Sequence, residues 1–184
     1  MKKFLSIVLA TSLLTPAFAQ KMGSSNRNAP TVKQEITAGD TKVSLNYTAI
    51  TWGDGSTMGN VMNKENGADT RKMVNGAAAK SPMGTFTNSV DLKVGDLNLP
   101  AGEYQVFFTI NDDLSWNINF AAKDKVQTMK LALMENAGHE HKQLVMSLYA
   151  ADPKTAAIYL GFGKHGGMLT LTPAGAAKEA STGK

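Results

Sequence analysis

The sequence contains no cysteine among its 184 residues. This absence excludes disulfide bonds, thiolate zinc sites, a thiol nucleophile and a lipid-modified N-terminal cysteine. The stability of the folded chain must therefore come from an ordinary hydrophobic core. The hydrophobic content of 42% suffices for such a core and is too high for a disordered chain.

The sequence also lacks any apolar run of about 18 or more residues, which excludes a protein that crosses a membrane several times. Its longest apolar stretch, Phe4–Leu14, follows two lysines and precedes an Ala-Phe-Ala tripeptide at 17–19. This is the pattern of a bacterial secretory signal. We therefore predict a signal peptide at residues 1–19, cleaved near Ala19, and a periplasmic or secreted mature protein.

Charge is scarce, since charged residues make up 18% of the chain and the formal net charge is +4. The net charge falls to +2 when Lys2 and Lys3 leave with the signal peptide. Nucleic-acid binding requires lysines and arginines clustered on one face, and the sequence shows no such cluster. The predicted partner is an unidentified envelope ligand or protein, not a nucleic acid, and the mature form has no membrane span.

Apolar and polar residues alternate with a period of two over most of the chain. Alternation buries one face of a strand and exposes the other, as in antiparallel sheets. Gly-, Pro-, Asn- and Asp-rich turns separate the segments. The alternating segments are Val43–Ala49, Val90–Val94, Tyr104–Ile110, Trp116–Phe120, Met129–Leu133, Leu144–Leu148, Ile158–Phe162 and Leu169–Leu171.

These segments predict one all-β domain at residues 41–172, an antiparallel β-sandwich of about eight strands of jelly-roll or immunoglobulin-like type. Residues 20–40 are predicted to be a flexible arm, and residues 173–184 a disordered tail. For the Gly-, Asn- and Lys-rich stretch Gly53–Lys80, the sequence is compatible with three alternatives: a short strand, a loop or a helical turn.

The most distinctive stretch is the turn Leu-Pro-Ala-Gly-Glu-Tyr at residues 99–104, which leads into an aromatic strand and then a strand opened by Trp116. It resembles a family of small secreted bacterial proteins known as domain of unknown function twenty-nine eleven. The resemblance covers roughly Val43–Thr172 and implies a β-sandwich-like secreted domain with no assigned activity. Packing at the edge of the core accounts for Tyr104 and Trp116.

The chain departs from that family at one place. The family carries Trp-Arg-Thr-Gly-Ala-Asn-Glu before the strand that leads to the turn. The corresponding stretch, Met73–Met83, contains no Trp, Arg or Glu in that order. A polar site that the family builds there is therefore not expected in this chain.

The best candidate for metal binding is the sequence His139-Glu140-His141. Residues i and i+2 of a strand point to the same face, so two imidazoles there can share a metal. His165 and Met168 are the candidates to complete a copper-like set of nitrogen and sulfur ligands. The competing interpretation is a solvated face, because inward Leu144, Met146 and Leu148 would turn the histidines outward.

Catalytic signals are weak. The sequence has no Gly-x-Ser-x-Gly elbow, so no catalytic residue and no cofactor are assigned. Asp112 and Asp113 are adjacent carboxylates, but turn chemistry explains them. Gly53–Gly59 lacks the Lys-Ser/Thr ending of a phosphate-binding loop.

The sequence thus predicts an exported, soluble β-sandwich protein that acts as a non-catalytic binding or structural module of the cell envelope. One alternative is a periplasmic copper- or zinc-binding protein that uses His139, His141 and His165. The other alternative is a hydrolase of envelope glycans, whose carboxylates would be Asp112 and Asp113.

Overall fold

The computed structural model describes residues 29–51, 57–135 and 139–175, which form two packed antiparallel sheets and two helices. The all-β sandwich predicted from the alternation is confirmed. The first sheet has the order β1-β2-β3-β6-β7-β8, made of Thr31–Ala38, Thr41–Thr48, Gly84–Asn88, Gly102–Ile110, Trp116–Ala122 and Lys125–Lys130.

The second sheet has the order β10-β11-β12-β4-β5, and β9 also pairs with β12. Its strands are β10 His141–Ala150, β11 Ala156–Gly163, β12 His165–Pro173, β4 Leu92–Val94, β5 Leu97–Leu99 and β9 Met134–Glu135. The described residues contain twelve strands, against the eight or so predicted. The four that the prediction missed are β1, β3, β5 and β9; β5 and β9 are too short to show an alternation. The predicted segment Met129–Leu133 is displaced, since it overlaps β8 only at its first two residues.

The core lies between the sheets and is built from the inward residues of the alternating segments. Phe86 on β3 and Phe120 on β7 are buried and meet edge to face, with ring centroids 5.5 Å apart. The hairpin of β4 and β5 belongs to the second sheet, although it stands in the chain between β3 and β6 of the first sheet. Its turn contains Gly95, whose φ of +57° is one that residues with a Cβ rarely adopt.

The prediction of a flexible arm at residues 20–40 is wrong for its second half. Residues 31–38 form β1, which pairs with β2 over its whole length, from Thr31 opposite Thr48 to Ala38 opposite Thr41. Its alternation was hard to see because Gln34 occupies an inward position between Val32 and Ile36. Residues 1–28 and 176–184 lie outside the described part of the chain, so the signal peptide and most of the tail stay predictions.

The glycine-rich stretch left open by the sequence contains two helices, α1 at Thr57–Val61 and α2 at Ala68–Ala78. Buried Arg71 joins them, since its Nη1 donates to the carbonyl oxygens of Val61 and Asn63 at 3.0 and 2.9 Å. Helix α2 packs on β6, where the side-chain amide of Asn75 pairs with both backbone groups of Ile110. No helix in the described ranges is long and apolar enough to cross a membrane.

Side chains of the first sheet cover the edge strand β10 of the second. The amide of Leu148 donates to Oε1 of Gln34 at 2.7 Å, and Nε2 of Gln34 donates to the carbonyl oxygen of Met146 at 3.0 Å. The amide of Met146 donates to the Tyr47 hydroxyl at 3.0 Å. Unpaired strand edges invite pairing with other chains, so these bonds both protect β10 and fix its position.

Candidate functional site

His141 opens β10 on the outer face of the second sheet and is half-buried. Its place depends on a bulge, because His141 pairs with Gly163 while Val145, four residues later, pairs with Gly161. The ring lies over Gly161, where a Cβ atom would come within 2.6 Å of His141 Cδ2. Because Gly161 has no side chain, the imidazole can pack directly against the backbone of the sheet.

A tyrosine fixes the orientation of that imidazole. His141 Nε2 and the Tyr159 hydroxyl share a hydrogen bond of 2.8 Å, and the two rings meet edge to face. When the proton of the neutral imidazole is on Nε2, that nitrogen donates to the tyrosine oxygen and Nδ1 keeps its lone pair. The arrangement gives His141 one oriented nitrogen that can bind a metal.

His139 lies close to His141, as the metal hypothesis requires. Its side chain is exposed, and the two ring centroids are 6.2 Å apart with the ring planes at 84°. His139 precedes β10, so the two histidines do not both lie on one strand as the metal hypothesis supposed, and their outward positions agree equally with the competing interpretation of a solvated face.

Met168 projects from β12 on the same outer face and is 62% exposed. Its sulfur accepts a hydrogen bond from the Tyr149 hydroxyl, and its Cα partner across the ladder is Tyr159. Met168 therefore shares the face with His141, but its sulfur already has a hydrogen-bond donor.

His165, in contrast, lies on the other side of the sheet. Alternation along β12 places it with buried Leu169 and Leu171, and its ring packs against Trp116 with centroids 6.5 Å apart. The predicted set of His139, His141, His165 and Met168 is thus divided between two faces. Within the described residues, no three His, Asp or Glu side chains are grouped so that they could hold a metal.

Sequence reasoning missed Met134, which is 72% exposed on β9. Its Cα partner is Gly166, whose partner on the next strand is Gly161, the glycine under the ring of His141. Directly opposed residues point to the same face of a sheet, so Met134 shares the outer face with His141. The pairing of β9 with β12 joins residues about thirty apart, and the local pattern gives no sign of it.

The interior around Trp116 is the other candidate site. Two apolar cavities of about 30 and 20 Å³ flank this ring and share Phe108 and Phe162 in their walls. The buried indole Nε1 has no hydrogen-bond acceptor within the described part of the chain. Each cavity has room for about one water molecule and is therefore too small for a larger ligand.

The Pro-Ala-Gly turn that carries the family resemblance is tied down by its own surroundings. Buried Asn88 donates through Nδ2 to the carbonyl oxygens of Val90 and Pro100 at 2.7 and 2.9 Å. The Tyr104 hydroxyl also donates to the oxygen of Pro100, at 2.7 Å, and Asp91 accepts from the amide of Ala101. Burial, and then the charge of Asp91, raises the pKa of Tyr104. These contacts assign the turn to folding.

The two adjacent carboxylates lie in the exposed turn between β6 and β7. Asp112 is 96% exposed and forms an ion pair of 3.6 Å with Arg71 Nε. Hydrogen bonds from the side chain and the amide of Ser115, and then from Lys130, lower the pKa of Asp113 to about 2. A general acid needs a raised pKa, so this geometry gives no support to the glycan-hydrolase alternative.

The stretch in which the chain departs from the family, Met73–Met83, forms the second half of α2 and the segment leading to β3. Residues 52–56 of the glycine-rich loop lie outside the described ranges. The chain matches no protein-family model, no curated protein and no solved structure. The family resemblance therefore stays a prediction.

Proposed function

We propose that this chain is an exported, non-catalytic binding module of the cell envelope, and that it holds a transition-metal ion on the outer face of its second sheet. One observation carries the proposal, namely the pair His139 and His141 with ring centroids 6.2 Å apart. Export rests on the pattern of residues 1–19.

The separation of the rings suits a shared ion. A metal–nitrogen bond is about 2.0 Å long, and each ring nitrogen lies roughly 1 Å from its centroid. Two imidazoles on opposite sides of one ion therefore have centroids roughly 6 Å apart, which is close to the separation in this chain. Rotation of the exposed His139 ring would turn one of its nitrogens toward such an ion.

The contact with Tyr159 supports the same proposal. Imidazoles that bind metals usually donate their second N–H to a nearby oxygen, which fixes the tautomer and the orientation of the ring. The Tyr159 hydroxyl, 2.8 Å from Nε2 of His141, can play this part. Nδ1 of His141 is then the nitrogen that faces the ion.

The proposal is tested by titrating the full mature chain with Zn(II), with Cu(II), and with Cu(I) under anaerobic reducing conditions. His139→Ala and His141→Ala are expected to weaken binding of at least one ion by about tenfold or more while leaving the folded signal unchanged. His165→Gln is the matched control, because it removes an imidazole from the opposite face, and its affinity is expected to match that of the wild type.

The proposal fails if the wild-type chain binds none of the three ions. It also fails if both alanine variants bind every ion as well as the His165→Gln control does. Circular dichroism on each variant separates lost binding from lost structure.

A further inference from the structure

The outer face of the second sheet exposes two thioethers beside the histidine pair. Met134 is 72% exposed and Met168 is 62% exposed, although burial of a methionine side chain normally contributes to stability. Thioether sulfur is a soft ligand that favours Cu(I) over Zn(II) or Mg(II). An exposed methionine on this face therefore favours Cu(I) as the metal.

The register of the sheet places Met134 toward His141. The ring of His141 covers Gly161, Gly161 pairs with Gly166, and Gly166 pairs with Met134. Neighbouring strands are roughly 5 Å apart, so Met134 lies two strand spacings, roughly 10 Å, from Gly161, with the strand that carries Gly166 between them. Gly166 has no side chain, and Met134 can lean across it toward the imidazole.

Met134 is a better candidate than Met168. The sulfur of Met168 accepts a hydrogen bond from the Tyr149 hydroxyl, which draws it toward β10 at the Ala150 end of the strand. Tyr159 also stands between Met168 and the ring of His141 along the outer face.

We propose that the ion is Cu(I) and that Met134 is its third protein ligand, beside one nitrogen each of His139 and His141. The inference rests on the proposed metal-binding function and adds the oxidation state and the sulfur ligand. It involves no redox step, because copper binds and leaves as Cu(I). Binding by two opposed nitrogens and one thioether requires no third His, Asp or Glu, in keeping with the lack of such a group among the described residues.

The test is a competition titration of Cu(I) between the full mature chain and a chromophoric Cu(I) chelator, without oxygen. Met134→Leu keeps the size of the side chain and removes the sulfur, so it is expected to weaken Cu(I) binding by about tenfold or more. The same variant is expected to change Zn(II) binding by less than about twofold, because thioethers contribute little to zinc sites.

Two matched variants accompany it. Met73→Leu changes a methionine that is also 62% exposed but lies on α2, and its Cu(I) affinity is expected to equal that of the wild type. The Cu(I) affinity of Met168→Leu is expected to differ from that of the wild type by less than about threefold, since the sulfur of Met168 is not a ligand.

The inference is overturned if Met134→Leu binds Cu(I) as tightly as Met73→Leu, or if Met168→Leu weakens binding as much as Met134→Leu does. Should either occur while the histidine variants still lose metal, the proposed function stands and only the sulfur ligand is wrong. If the histidine variants also bind metal as tightly as the wild type, the metal-binding function itself is wrong.

Discussion

The Pro-Ala-Gly turn and the outer face of the second sheet differ in how their polar groups are used. At the turn, Asn88 and Tyr104 direct their hydrogen bonds to backbone atoms of the turn itself. On the outer face, His139 and Met134 are offered to solvent, and His141 is oriented by a single hydroxyl. The more conspicuous motif of the sequence thus serves folding, and the metal proposal rests on the less conspicuous residues.

This difference follows from what burial costs. A buried polar group without a partner costs about 1–3 kcal/mol, so the amide nitrogen of Asn88 and the carbonyl of Pro100 are paired inside the protein. An exposed imidazole or thioether has no such requirement. Changes at the turn should therefore alter the free energy of unfolding, and changes on the outer face should alter metal affinity.

The largest effect is expected from Asn88→Ala, because Asn88 is 2% exposed and donates to the carbonyl oxygens of Val90, before β4, and of Pro100, in the turn, at 2.7 and 2.9 Å. Loss of these bonds should lower the free energy of unfolding by about 2–4 kcal/mol, measured by urea denaturation. Asn98→Ala, at an exposed position of β5, should change it by less than about 0.5 kcal/mol. Equal stability of the two variants would contradict the role assigned to the turn.

A smaller effect, on metal affinity more than on stability, is expected from Gly161→Ala. The new Cβ would lie 2.6–2.7 Å from Cδ2 and Nε2 of His141. The ring must therefore move away from the sheet and lose its hydrogen bond to Tyr159. Metal affinity should fall by about tenfold, with a smaller change in stability.

Gly76→Ala is the matched control for Gly161→Ala, because nothing lies within 4 Å of a Cβ at that position of α2. It should raise the free energy of unfolding by up to about 1 kcal/mol and leave metal affinity unchanged. If Gly161→Ala kept the metal affinity of the wild type, the position of the His141 ring over Gly161 would have no part in metal binding.

The smallest effect is expected from Asp113→Asn. The pKa of Asp113 is about 2 in the folded chain, below its ordinary value of 3.8, so its ionised form stabilises the fold above that value. This contribution is lost as the pH falls from about 4 to about 2. The melting temperature of the variant should be slightly below that of the wild type at pH 7, and the difference should vanish near pH 2. A difference that grows toward low pH would contradict the assignment.

The sequence predicted the sandwich because its central strands alternate strictly, with one side facing the core. It did not predict β1, because Gln34 stands at an inward position, where its amide bonds to the backbone of β10. That use of a polar residue depends on a strand more than a hundred residues away. Helix α2 was only one of three open alternatives, a helical turn, since it contains Gly76 and buries the charged side chain of Arg71.

The candidate site could be predicted only in part. The short spacing of His139 and His141 predicted that they lie close together, but the expectation that both stand on one strand is wrong, because β10 begins at His141. The alternation of β12 also contained the evidence against His165, because it has the same parity as Leu169 and Leu171 and the opposite parity to Met168. Met134 could not be found, since its place on the face depends on the pairing of β9 with β12.

The central claim is that a nitrogen- and sulfur-bound Cu(I) lies on the outer face of the second sheet. X-ray absorption at the copper edge of the loaded mature chain tests it most directly. We expect two nitrogen scatterers at about 2.0 Å and one sulfur at about 2.3 Å, with the sulfur lost in Met134→Leu and kept in Met73→Leu. A copper shell of nitrogen and oxygen alone in the wild-type protein would contradict the account.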